Sequence, residues 1–179
     1  MLLETKRLEI MREKTKKLVA ALKTSVPEQA FLRPIHTRAQ QVKNLKIRVV
    51  VGKHIVNIDE PLDGGGDDTA QSPLDTLLVA LAACIEVNWI TYSSAFNLDI
   101  REVVVEVEGM IDRRFVLSGA NSVPARLNAV KIISRVVTSA PRENVERIHQ
   151  KVQQFCPVSE SLHPDITKVY LLEIQPVPI

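Results

Sequence analysis

Cys84 and Cys156 are the two cysteines of this 179-residue chain, and they carry its clearest chemistry. The thiolate form of cysteine is a nucleophile toward peroxides, disulfides and metals. Two cysteines are too few for a disulfide framework, and these two are not spaced as zinc ligands. By residue type alone they fit three roles: a redox pair, a structural disulfide, or two small buried hydrophobes, a common fate of free cysteine. A free thiol has a pKa near ~8.5, so only a minority is thiolate at neutral pH. Cys84 lies too deep in its helix for the N-terminal dipole, which fades within a turn, and its neighbours Ala80, Leu81 and Val87 are apolar. A nucleophilic Cys84 therefore requires a cation or hydrogen-bond donor from elsewhere in the fold. The histidines offer no competing site. His54 falls on a strand, His149 on a helix surface and His163 in a loop, His36 lies near a strand start, and none has ligand spacing. His163 and Glu160 follow Cys156 closely and read as turn residues.

Cys84 sits in SPLDTLLVALAACIEVNWITYSSAF, Ser72 to Phe96. Ser72 caps a helix, Pro73 suits its first turn, and Asp75 completes a capping box with its charge at the positive end of the dipole. From Leu77 to Ile85 the segment is apolar on every side, which predicts a helix buried within protein and too short an uncharged run to cross a membrane. Trp89, Tyr92 and Phe96 continue it at helical spacing as core residues able to wall the apolar side of a site. Cys156 follows PRENVERIHQKVQQF, a second helix with Val145, Ile148, Val152 and Phe155 on one face, and Pro157 is expected to stop it.

Strands frame these helices. Residues 36–43, LKIRVVV and HIVNID predict a three-stranded meander turning at Gly52-Lys53. EPLDGGGDDTAQ reads as a flexible connector, because Glu60, Asp63, Asp67 and Asp68 would repel a phosphate in a glycine cradle. In IREVVVEVEGMID, Glu102, Glu106 and Glu108 alternate with Val103, Val105 and Val107, the pattern of a half-exposed antiparallel strand. A turn with Gly119, Asn121 and Pro124 leads to ARLNAVKIISRVVTS, and ITKVYLLEIQPV closes the chain as a strand. Residues 2–24 form a helix with seven basic and three acidic residues, read as packing a narrow apolar stripe. The order of elements is α+β. Net charge is +2 and 45% of residues are apolar, an ordinary globular composition with no strong field for nucleic acid or membrane. The charged N-terminus is unlike a signal peptide, and the cytoplasm is the expected compartment.

The run from Ile58 to Cys84 (IDEP, GGG, SP, LL, AL, AAC) and FCPVSESL, Phe155 to Leu162, resemble the OsmC/Ohr family of thiol peroxidases. The similarity covers roughly residues 36–178. It implies an OsmC-like domain over 36–179, preceded by a helical extension and linker over 1–35. The implied architecture has antiparallel sheets wrapped around a long buried central helix in an intertwined homodimer. It further implies reduction of organic hydroperoxides or hydrogen peroxide by Cys84, with Cys156 resolving through an intramolecular disulfide that a dithiol reductant reopens. No metal, flavin or haem cofactor is implied, nor a nucleic-acid or membrane partner. The family pairs an early-strand arginine with a glutamate on the cysteine helix. Arg48 is the expected arginine, with Arg38 behind it. The glutamate position is Leu74, which points to an alternative: an OsmC-like protein without efficient turnover, binding a small ligand or sensing oxidants.

Overall fold

The structure, a computed structural model, describes residues 2–24, 26–117 and 123–178. The expected turn at Gly119 and Asn121 lies outside them. The chain divides into two compact units, one of residues 9–77 and one running from Leu78 onward together with the first eight residues.

In the first unit, β1 (Thr37–Lys43), β2 (Lys46–Val51) and β3 (His54–Ile58) form the expected antiparallel meander. The β2–β3 turn uses Gly52 at φ +59°, where a side chain would be strained. The acidic, glycine-rich segment is organised, contrary to the expectation of a flexible connector. Asp59 is fully buried, and its carboxylate accepts from the backbone N–H groups of Glu60, Asp67 and Thr69 and from the Thr69 hydroxyl at 2.7 Å. The Thr69 hydroxyl is the largest influence holding the Asp59 pKa below its ordinary value, against burial, which raises it. Gly66 is obligatory, since a Cβ there would stand 1.8 Å from the Glu60 carbonyl oxygen. The acidic run is thus the shell of one buried carboxylate.

Among the described residues, two long helices form besides the later crossover helix: α1 (Thr5–Leu22) and α2 (Pro73–Ala95). Leu8 is buried in α1, whereas Ile10, Leu18 and Leu22 are exposed. The capping box of α2 forms as expected: Asp75 N–H donates to Ser72 Oγ at 3.1 Å, and Ser72 Oγ donates to the Asp75 carboxylate at 2.7 Å. At 23 residues α2 is long and apolar enough to cross a membrane by length and composition alone, which corrects the expectation from the shorter uncharged run. Within the second unit it packs on protein. Trp89 donates through Nε1 to Ser134 Oγ at 3.0 Å, and Gly109 leaves room for the Leu78 side chain. Burial is one-sided in the single chain: Leu81, Ile85 and Trp89 are buried, while Val79 and Val87, on the opposite face, are 57% and 58% exposed.

The second sheet contains β4 (Ile100–Ile111), β5 (Leu127–Thr138) and β6 (Thr167–Gln175) in that spatial order. The expectation of wholly antiparallel sheets is corrected here. β4 and β5 are antiparallel, but β5 and β6 run parallel, because α3 (Arg142–Gln154) carries the chain back along the sheet between them. β5 is central, with Ile132, Ser134 and Val136 buried. On its outer face Lys131 pairs with Glu108, and Arg135 bridges Glu106 and Glu173.

Candidate active site

Three strands and two helices bring the cysteines together. Cys84 is about three turns into α2 and half-buried; Cys156 follows α3 and is fully buried. Their sulfurs lie 3.2 Å apart, with Cys156 donating, although they are 72 positions apart in the chain. Both are free thiols. Asn88, one turn beyond Cys84, donates through Nδ2 to the Phe155 carbonyl at 3.2 Å, and Tyr92 faces the Phe155 ring at 6.4 Å. The α2 face thus grips the residue immediately before Cys156.

Pro157 does more than stop α3: it opens a short helix, α4 (Pro157–Glu160), with Cys156 at its N-cap. The Cys156 sulfur accepts from the Ser159 backbone N–H at 3.4 Å. Burial pushes the Cys156 thiol up to about 11, and the Ser159 N–H opposes that rise. Ser159 is itself fully buried; its hydroxyl shares a 2.6 Å hydrogen bond with Tyr170, and its carbonyl accepts from Lys168 Nζ at 3.1 Å. Lys168 also reaches Glu160 at 3.5 Å.

Behind the cysteines, His149 stacks on Trp89 with ring centroids 5.8 Å apart and meets Tyr170 edge-on at 6.5 Å. It is buried, not on the helix surface as expected, and burial lowers its pKa despite the raising influence of Glu146. Trp89 is core, whereas Phe96 is exposed beneath Lys151, whose Nζ is 5.5 Å from the ring centroid. His163 is exposed in the loop that follows, accepting from the Asp165 N–H at 3.2 Å, whereas Glu160, expected in a turn, is the exposed last residue of α4.

Arg48 and Arg38 belong to the other unit, on β2 and β1, with exposed side chains; Arg48 is in register with Gln40 and Asn57. Leu74 is half-buried in the first turn of α2. Among the described residues no group of His, Cys, Asp and Glu is arranged to hold a metal ion. Sequence reasoning missed Asn88, Ser159, Lys168 and Tyr170. Two signals were present: the three-residue spacing from Cys156 to Ser159 used by N-caps, and the two-residue spacing that puts Lys168 and Tyr170 on one face of a strand.

A family model described as OsmC-like protein matches residues 65–169, more than half of the chain. No curated protein matches it. Solved structures share the fold. An OsmC-like protein from Mycoplasma pneumoniae is 14% identical, with a TM-score of 0.68 over 79% of this chain and 97% of its own. An organic hydroperoxide resistance protein from Elizabethkingia anophelis is 17% identical, with a TM-score of 0.62 over 80% of this chain and 98% of its own. A protein from Legionella pneumophila described as an organic hydroperoxide resistance protein OsmC and predicted redox protein is 15% identical, with a TM-score of 0.58 over 79% and 98%. With the paired thiols on these elements and the family match spanning all of α2 through to the start of β6, the chain belongs to the OsmC/Ohr family.

Proposed function

We propose that this protein is a homodimeric, cysteine-based peroxidase for organic hydroperoxides or hydrogen peroxide, working in the cytoplasm with a dithiol reductant. The observation that carries the reading is the 3.2 Å contact between Cys84 and Cys156. Exposure divides the roles. Cys84 is the half-buried sulfur that a peroxide can meet, and Cys156 is fully buried with its thiol held protonated. The Cys84 thiolate attacks the O–O bond, releasing an alcohol or water and becoming a sulfenic acid. The Cys156 thiol condenses with it, expelling water and forming the disulfide. A dithiol then returns two electrons and both protons, regenerating the two thiols.

Arg48 is the cation assigned to Cys84, on the strength of the family resemblance. Residues 36–179 form the catalytic domain, and 1–35 the extension. The homodimer is supported by the α2 face carrying Val79, Ala83 and Val87, which is apolar and exposed in one chain. The organic hydroperoxide resistance proteins among the structural relatives support the substrate class.

The test is peroxide consumption with dithiothreitol as reductant. Wild type turns over, Cys84→Ser does not, and Cys156→Ser accumulates a Cys84 sulfenic acid that dimedone traps. Equal consumption by wild type and Cys84→Ser across alkyl and hydrogen peroxides refutes the reading. Leu74, where the family glutamate is expected, favours a second reading: a single oxidation to the disulfide without sustained turnover, as in a sensor or ligand binder.

A further inference from the structure

Ser159 is fully buried beside Cys156, and the peroxidase cycle above gives it no task. Every polar group it has is engaged. Its N–H points to Cys156 Sγ at 3.4 Å, its hydroxyl bonds Tyr170 at 2.6 Å, and its carbonyl accepts from Lys168 at 3.1 Å. Two of these partners come from β6, on the same face of the strand, and Ser159 has no exposed surface. A turn that merely reversed the chain after α3 would need neither a half-buried lysine on its carbonyl nor a half-buried tyrosine on its hydroxyl.

We propose that Tyr170 and Lys168 are positioning residues that hold the Ser159 N–H on the Cys156 sulfur, so that Cys156 can depart as a thiolate when the disulfide is reduced. The inference rests on the disulfide cycle proposed above. In that cycle the incoming dithiol meets the half-buried Cys84 sulfur. Its thiolate forms a new S–S bond to Cys84 while the Cys84–Cys156 bond breaks, and the electron pair leaves on Cys156. The second thiol of the reductant then attacks its own sulfur in the mixed disulfide, releasing Cys84 and completing a two-electron transfer. The departing Cys156 thiolate is desolvated, which makes it a poor leaving group, and thiol exchange slows as the leaving thiol's pKa rises. A hydrogen bond to the anion opposes that penalty. The Ser159 N–H is the donor in place, and β6 prevents the turn from swinging it away.

The experiment isolates reduction from peroxide chemistry. Protein oxidised with diamide to the Cys84–Cys156 disulfide is mixed with dithiothreitol under single-turnover conditions, and thiol release is followed. Tyr170→Phe and Lys168→Met each lower the saturating reduction rate about 10-fold, the loss of one well-placed hydrogen bond to a charged group. The dithiothreitol concentration giving half the rate stays unchanged, since binding of the reductant is not involved. Lys168→Arg restores the rate, because it keeps a cationic donor for the Ser159 carbonyl. Near-ultraviolet circular dichroism confirms folding of each variant. Wild-type reduction rates in both folded variants overturn the inference while leaving the peroxidase reading intact. A slowed rate that Lys168→Arg does not restore also overturns it, marking a general loosening of the turn. If the wild type ignores peroxides but diamide closes the disulfide, the peroxidase reading falls and these rates still decide the role of β6.

Discussion

Closing the Cys84–Cys156 disulfide changes the thermal stability of the protein by an amount that follows from its topology. The sulfurs are already in contact at 3.2 Å, and the bond would enclose a loop spanning 72 residues. A cross-link of that span removes loop-closure entropy from the unfolded chain worth about 4 kcal/mol. For a chain of this length each kcal/mol moves the melting temperature by roughly 2–4 °C, so oxidation raises it by roughly 10 °C. The assay is differential scanning fluorimetry on fully reduced protein and on protein treated with one equivalent of cumene hydroperoxide. Mass spectrometry confirms loss of two hydrogens and blocked thiol labelling. Dithiothreitol reverses the shift, and neither Cys84→Ser nor Cys156→Ser shows it. A fully oxidised protein melting within ~2 °C of the reduced form contradicts the argument. In that case the unfolded chain already holds these segments together, or bond formation displaces Cys156 from its buried seat at comparable cost.

Three further outcomes follow from named contacts. Trp89→Phe leaves the buried Ser134 hydroxyl without its donor and costs about 1–3 kcal/mol in urea unfolding; adding Ser134→Ala recovers part of that, and strict additivity of the two would show the contact to be idle. Gly66→Ala drives a Cβ into the Glu60 carbonyl, so the backbone of the acidic loop must move, destabilising by about 1–3 kcal/mol; an unchanged urea midpoint counts against the packed loop. Because the Asp59 pKa is lowered in the folded state, chiefly by Thr69, its contribution is present above the unfolded value near ~3.9 and is lost as pH falls through the folded one. Asp59→Asn should therefore lower the urea midpoint at pH 7 and flatten its fall below ~pH 4; a variant with the wild-type acid profile would place the sensitivity elsewhere.

Local signals in the chain were reliable where one residue type has one physical use. Ser72, Pro73 and Asp75 announced the start of α2, and the alternation of Glu102, Glu106 and Glu108 with valines announced β4. The cysteine pair was legible through its flanking motifs, although periodicity alone left both residues equally good as core. The order of the acidic glycine loop was not legible, because it is set by Asp59 at the end of the preceding strand, and Asp59 looks the same in sequence whether solvated or buried under four donors. His149 was misplaced for a similar reason, since a polar residue beside the apolar stripe of α3 can lean either way, and Trp89 decides which. The parallel pairing of β6 left no mark in its residues, because strand direction depends on the route the chain takes between strands.

By itself the amino-acid order determined the three longer helices though not α4, the strands, the two thiols and the family to which they belong, because caps, alternation and motif spacing act over a few residues. Only the tertiary structure decided that Cys84 and Cys156 touch, that Cys156 is the fully buried member, and that Ser159 is held by Lys168 and Tyr170 from β6. Those contacts join residues distant along the chain, and their geometry is set by how a sheet and two helices pack, which no local window contains.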